Sequence, residues 1–300
     1  DEVVLRELGM ASNSEPDLAT WNSFLDKLHN PSKTVRIGLV GKYVELKDSY
    51  KSIAESFIHA GAANNIKVDL RWIHSEKLTD ENVGVMLDGL AGILVAPGFG
   101  SRGIEGKIRA VKHAREYRIP FLGICLGMQC AVIEYARNVL NLPDAHTMEI
   151  APETANPVIH LMEEQKSITD KGGTMRLGAY PCKLTDGTLT RDAYGEENIT
   201  ERHRHRYEFN NEYLADYEAA GMIASGKKTA RSDGRRPAVE AGSFFVAAIV
   251  LSSSLWPIGF NLGAYGAVFY EHLFRIWASS IAALIAGLLI GAARVLMGAI

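Results

Sequence analysis

At 300 residues the chain has room for one generous domain or two small ones, enough for an enzyme with a well-buried core. Its net charge of -3 provides no global basic field, which excludes nucleic acid as an obligatory electrostatic partner and leaves small anionic or zwitterionic substrates open. The 3 cysteines, Cys125, Cys130 and Cys182, form no CxxC pair and leave one thiol over in any disulfide scheme, so free thiols in a reducing, cytoplasmic compartment are expected.

The chain opens on Asp1 rather than Met, as a fragment would, and its first residues lack the basic stretch and apolar run of a secretory signal. Residues 1–33 read as a polar, linker-like lead-in with one short helix. From there VRIGLVG (Val35 to Gly41), KVDLRWI (Lys67 to Ile73), AGILVAPG (Ala91 to Gly98) and IPFLGIC (Ile119 to Cys125) are short apolar runs. Between and after them, Tyr50 to Asn64, Gly106 to Tyr117 and Leu126 to Val139 repeat apolar residues at helical spacing. That alternation predicts an α/β domain over residues 34–226, a doubly wound, flavodoxin-like and mostly parallel sheet with helices on both faces. Active sites in such sheets lie at the carboxyl ends of the strands.

Two such ends carry chemistry. APGFGSRG (Ala96 to Gly103) is a glycine-rich turn after an apolar strand, without the Lys and Ser/Thr of a phosphate-binding loop. FLGICLGMQ (Phe121 to Gln129) runs from a strand straight into a helix at Cys125, the form of a nucleophile elbow. A thiol there stands at a helix N-terminus, which is expected to lower its pKa and to offer backbone N–H groups to an oxyanion.

Past the domain, residues 227–242 are polar, basic and turn-rich and read as a linker. Residues 243–300 form a hydrophobic, helical tail: Ser243 to Tyr270 and Trp277 to Ala293 carry no charge, the first run long enough and the second marginal for a membrane span. A transmembrane hairpin, a buried core hairpin and a fused or frame-shifted sequence are the alternatives for this tail.

The GICLGMQ and PGFGSRG motifs together resemble the class I glutamine amidotransferases. GGTMRLG (Gly172 to Gly178), ERHRHRYEFNN (Glu201 to Asn211) and IGLVGKYVELKDSYKS narrow the resemblance to the CTP synthase family, over Val35 to Gly226. The resemblance implies that Cys125 attacks the side-chain amide of L-glutamine. Gly98 and the amide of Leu126 would form the oxyanion hole, and Gln129 would line the glutamine pocket. Glu149 would hold the ammonium and Arg206 the α-carboxylate, charges of each sign for a zwitterionic amino acid.

The family also carries an N-terminal synthetase domain, absent from this sequence, that uses ATP and magnesium to aminate UTP to CTP. It is activated by GTP and forms homotetramers. No cofactor or metal is expected in the present chain, and nucleic acid is not an expected partner. One element of the family pattern is missing: the motif of the form FHPE near the C-terminal end, which supplies the family's catalytic His and Glu, has no match here, and His272 in YEHLF lies inside the hydrophobic tail. An enzyme that binds glutamine but turns it over poorly is therefore expected. The rival functions are a membrane-tethered, glutamine-binding or regulatory protein on the same fold, and a glutamyl-peptide hydrolase. The Glu149 and Arg206 pair argues against the latter, because a peptide would lack one of the two charges.

Overall fold

The computed structural model of the chain describes residues 2–9, 17–161, 176–228 and 243–244. The parallel core consists of strands β1 (Lys33–Gly41), β2 (Ile66–His74), β3 (Gly92–Val95) and β4 (Phe121–Gly123), in the order β2-β1-β3-β4. Every pairing in it is parallel. The sequence expectation of an α/β domain with a mostly parallel central sheet is met, with strand ends within a few residues of the apolar runs.

Period-two alternation sorts the strand side chains into two cores. Val35, Ile37 and Leu39 of β1, Leu94 of β3 and Leu122 of β4 face one way. They pack there with Ile53, Phe57 and Ala60 of helix α3 (Lys51–Ala63). Val40, Ile93, Val95 and Phe121 face the other way, onto helices α5 (Ile104–Glu116) and α6 (Leu126–Asn138). Burial on both faces is why β1 and β3 read as near-continuous apolar runs. Between α5 and α6, Arg115 grips the fully buried Glu134 carboxylate through Nε and Nη2 at 2.8–3.0 Å.

Helix α2 (Ala19–His29), in the segment read as linker-like, stacks Phe24 on His59 of α3 at 5.4 Å. Helices α1 (Glu2–Glu7) and α4 (Val83–Leu87) are short.

The second half of the domain is mostly antiparallel. Strands β5 (His146–Thr147), β6 (Pro157–Leu161) and β9 (Tyr207–Phe209) form a small mixed sheet in the order β5-β6-β9. An antiparallel sheet is built from β7 (Arg176–Leu184), β8 (Asn198–His205), β10 (Gly226–Lys228) and β11 (Ser243–Phe244), in the order β11-β10-β7-β8. Cys182 and Leu184 of β7 complete the α3-side core. Helices α7 (Leu189–Tyr194) and α8 (Leu214–Ala219) flank these strands, and Tyr217 of α8 is fully buried with its hydroxyl donating to the Val132 carbonyl at 2.8 Å.

Lys227 and Lys228, read from sequence as the start of a linker, are strand residues here, and Ser243 and Phe244 pair with Lys227 and Gly226. The rest of the expected linker and tail lies outside the described residues. Among the described residues no helix is long and apolar enough to cross a membrane.

Candidate functional site

The carboxyl ends of β3 and β4 converge on one pocket. After β4 the chain reaches Cys125 at φ 54° and ψ -109°, a backbone conformation that side-chain-bearing residues avoid, and then enters α6 directly. The turn closes through the Gly127 N–H to the Ile124 carbonyl at 2.9 Å and the Gln129 N–H to the Cys125 carbonyl at 3.1 Å. Its glycines are steric necessities. A Cβ on Gly127 would sit 2.1 Å from the Val95 carbonyl oxygen, and one on Gly123 2.6 Å from the Gly127 carbonyl carbon. The strained Cys125 is thus fixed by backbone packed on backbone.

Gly98, Phe99, Cys125, Leu126 and Gln129, from the turns after β3 and β4 and the start of α6, line this pocket with Glu149, His205, Arg206 and Tyr207, from the loop after β5 and the β8–β9 junction. Cys125, Gly98, Leu126, Gln129, Glu149 and Arg206 therefore border a single cavity, although Glu149 and Arg206 are far from Cys125 in the chain. Gln129 is buried and donates its Nε2 to the Tyr207 carbonyl at 3.1 Å, tying α6 to β9. Its Oε1 is buried and has no hydrogen-bond partner among the described residues.

Glu149 stands in the loop after β5, where its N–H donates to the Thr147 Oγ1 at 3.2 Å and Thr147 is itself fully buried. The base of that loop is closed by Asn156 Nδ2 donating to Asp144 at 2.5 Å, and by Arg137 Nε donating to the Ala145 carbonyl at 2.9 Å. Arg206 occupies the single residue between β8 and β9.

The thiol departs from the sequence expectation. Burial pushes the Cys125 pKa up, and this outweighs the Leu126 amide and the Lys107 cation, which pull it down; Glu149 adds to the upward push. Its side chain is only partly accessible. The helix N-terminus acts in the expected direction but does not win, because desolvation of a thiolate costs more than one amide returns.

Phe99, His205 and Tyr207 were not picked out by sequence, and neither were two buried cations, Lys42 and Lys107. Lys107 had a legible signal: with Ile104, Ile108, Val111 and Ala114 it falls on the apolar stripe of α5, where a lysine is out of place. His205 Nδ1 lies 3.7 Å from the Glu208 carboxylate. Among the described residues no group of three or more His, Cys, Asp or Glu side chains could hold a metal ion. His272 lies outside the described residues.

Comparison with known proteins supplies the context for this geometry. Residues 45–235 match the family model for glutamine amidotransferase class-I. The CTP synthase of Cytophaga hutchinsonii is 63% identical over 226 residues, which are 75% of this chain and 42% of that protein. That of Halalkalibacterium halodurans is 53% identical over 250 residues, 82% of this chain and 46% of that one. The chain thus spans less than half the length of these relatives. Among solved structures, the glutaminase domain of Trypanosoma brucei CTPS with bound acivicin superposes with a TM-score of 0.60 at 37% identity, over 65% of this chain and 75% of that one. Neither the relatives nor the described structure supports the membrane-tethered alternative.

Proposed function

The chain belongs to the class I glutamine amidotransferases, and from that premise we propose that it is the glutamine-hydrolysing part of a CTP synthase. The observation that carries this reading is the pocket itself: a strained thiol at a strand-to-helix turn, faced by one carboxylate and one guanidinium. That charge pattern matches free glutamine, which presents an ammonium and a carboxylate at one end and a neutral amide at the other.

In the proposed reaction the Cys125 thiolate attacks the amide carbon of glutamine, and the carbonyl oxygen becomes negative beside Gly98 and the Leu126 amide. The C–N bond then breaks, the nitrogen takes a proton and leaves as ammonia, and a thioester remains on Cys125. Water hydrolyses the thioester to glutamate and restores the thiol. Glu149 and Arg206 hold the amino-acid end, and Gln129 closes the wall between α6 and β9.

Proton delivery is the weak step. The sequence holds no FHPE-type pair, and general acid–base catalysis contributes roughly a hundred- to ten-thousand-fold. Acylation is therefore expected to outrun turnover. His205, set against Glu208 on the same pocket, is the described imidazole best placed to shuttle the proton, and His272 is the other candidate. Released ammonia would pass to a synthetase domain carrying UTP, ATP and magnesium, with GTP as activator and a homotetramer as the assembly. A reducing cytoplasmic compartment suits the free thiols.

The test is ammonia release from L-glutamine by the purified chain beside Cys125→Ala. Slow release abolished by the substitution is expected. Release that survives it would rule Cys125 out as the nucleophile. Loss of the residual rate in His205→Ala, with Cys125 still open to acylation, would assign His205 the proton-transfer role.

A further inference from the structure

The pocket chemistry described above leaves two buried cations without a task. Lys107 on α5 has 0% of its surface exposed, and Lys42, directly after β1, has 6%. Burying an ammonium costs several kcal/mol unless opposite charge or hydrogen bonds offset it. Burial holds the Lys107 pKa below the ordinary lysine range and Lys42 adds to this, while Cys130 and Cys125 act in the opposite direction. Two buried lysines standing against one turn mark a place suited to a negative charge.

Their hydrogen bonds show where that charge would lie. Lys107 Nζ donates to the Ala96 carbonyl at 2.7 Å, and Lys42 Nζ donates to the Phe99 carbonyl. The two ammonium groups therefore clamp both ends of the Ala96–Phe99 turn, which carries Gly98 to the pocket wall. A Cβ added at Gly98 would meet Lys42 Cε at 3.4 Å and Lys107 Nζ at 3.7 Å, so both lysines stand against this glycine.

We propose that Lys107 is a positioning residue for the chemistry of Cys125: it pins the Gly98 turn through the Ala96 carbonyl and sets buried positive charge behind the reacting sulfur and oxyanion. The inference rests on Cys125 being the nucleophile. It accounts for the lysine on the apolar stripe of α5, since a packing role alone would be met by Met or Leu without the desolvation cost. Other charges bear on the same sulfur. Glu149 from the loop after β5 opposes the thiolate, and Arg206 with His205 at the β8–β9 junction shares the pocket. Cys130 sits one turn along α6, and Lys42 lies behind the Ala96–Phe99 turn. Among these, Lys107 is the cation that acts to lower the Cys125 pKa.

The test compares the full chain with Lys107→Met, which removes both charge and donor, and Lys107→Gln, which removes the charge and keeps a donor. Cys125 is alkylated with iodoacetamide across pH and, separately, with an electrophilic glutamine analogue, with adducts mapped by mass spectrometry. Removing a nearby cation raises a thiol pKa, so both variants should show the midpoint of iodoacetamide labelling displaced upward by about one pH unit. At a pH below the midpoint that is about a ten-fold slower reaction. Labelling by the analogue should fall further in Lys107→Met, by about a hundred-fold, and less in Lys107→Gln.

Folded variants with an unchanged midpoint and unchanged analogue labelling would overturn the inference and leave the glutamine site intact. Should Lys107→Met fail to fold, Lys107→Gln carries the test. Wild-type Cys125 that reacts with iodoacetamide but never with the analogue would instead defeat the glutamine reading, while the midpoint comparison would still decide the role of Lys107.

Discussion

The two sides of the pocket are held in different ways. On the nucleophile side, Cys125 and Gly98 sit on turns whose backbone touches other backbone or buried lysine stems, with no slack for an added methyl group at Gly123 or Gly127. On the recognition side, Glu149 and Arg206 stand on a loop and a strand junction secured by individual hydrogen bonds such as that to Thr147. Atoms that must stay within a few tenths of an ångström of a reacting carbon come from the rigid side. Groups that need only supply charge to a flexible ammonium or carboxylate come from the adjustable one.

This contrast predicts opposite outcomes for substitutions on the two sides. Gly127→Ala would ordinarily gain about 1 kcal/mol of helix propensity. Because its Cβ would lie 2.1 Å from the Val95 oxygen, the backbone must move instead, and a net loss of about 3 kcal/mol is expected in denaturant melts. A neutral or stabilised variant would show that the elbow is looser than its geometry suggests. Arg115→Met, which strands the buried Glu134 between α5 and α6, should cost a similar 3 kcal/mol in the same assay.

Glu149→Gln and Arg206→Met should leave stability within about 0.5 kcal/mol and weaken glutamine protection of Cys125 by roughly ten- to a hundred-fold. A large stability loss in either would erase the distinction between the two sides. Cys125→Gly should do the reverse of a recognition-side change. It relieves a positive φ of 54°, so it is expected to raise stability by about 1 kcal/mol while abolishing the chemistry.

The pH response of the packed thiols sharpens the comparison from outside the pocket. Burial pushes Cys130 and Cys182 up to about 12 from an ordinary 9.0. Above pH 9 the unfolded state sheds protons that the folded state keeps, so the contribution of these two thiols to stability is flat below that pH and declines from about 9 towards 12. Melting temperatures between pH 8 and 10.5 would show it, and Cys130→Ala should flatten part of the slope.

The sequence was most legible where local pattern and burial coincide. β1, β3 and β4 are covered on both faces, so they stand out as apolar runs, and Cys125 announces itself by lying between such a run and a helix. The antiparallel layer was hidden. β8, Asn198–His205, is nearly all polar, and β7 has Pro181 in its middle. A proline in mid-strand reads as a break in the sequence, although here it stands opposite Thr200 of β8.

Glu149 and Arg206 could be placed only by family resemblance, since nothing local ties a loop acid or a basic run to a distant thiol. Lys107 is readable as an anomaly of pattern on the apolar stripe of α5, but pattern alone does not tie it to the turns after β3 and β4.

The most direct test of the central claim is covalent labelling of the purified chain with an electrophilic glutamine analogue such as acivicin, followed by peptide mapping in the presence and absence of L-glutamine. A single adduct on Cys125, formed in buffer alone and suppressed by L-glutamine, is the predicted result. No adduct on Cys125, or an adduct that L-glutamine does not suppress, would contradict the assignment of this pocket to glutamine.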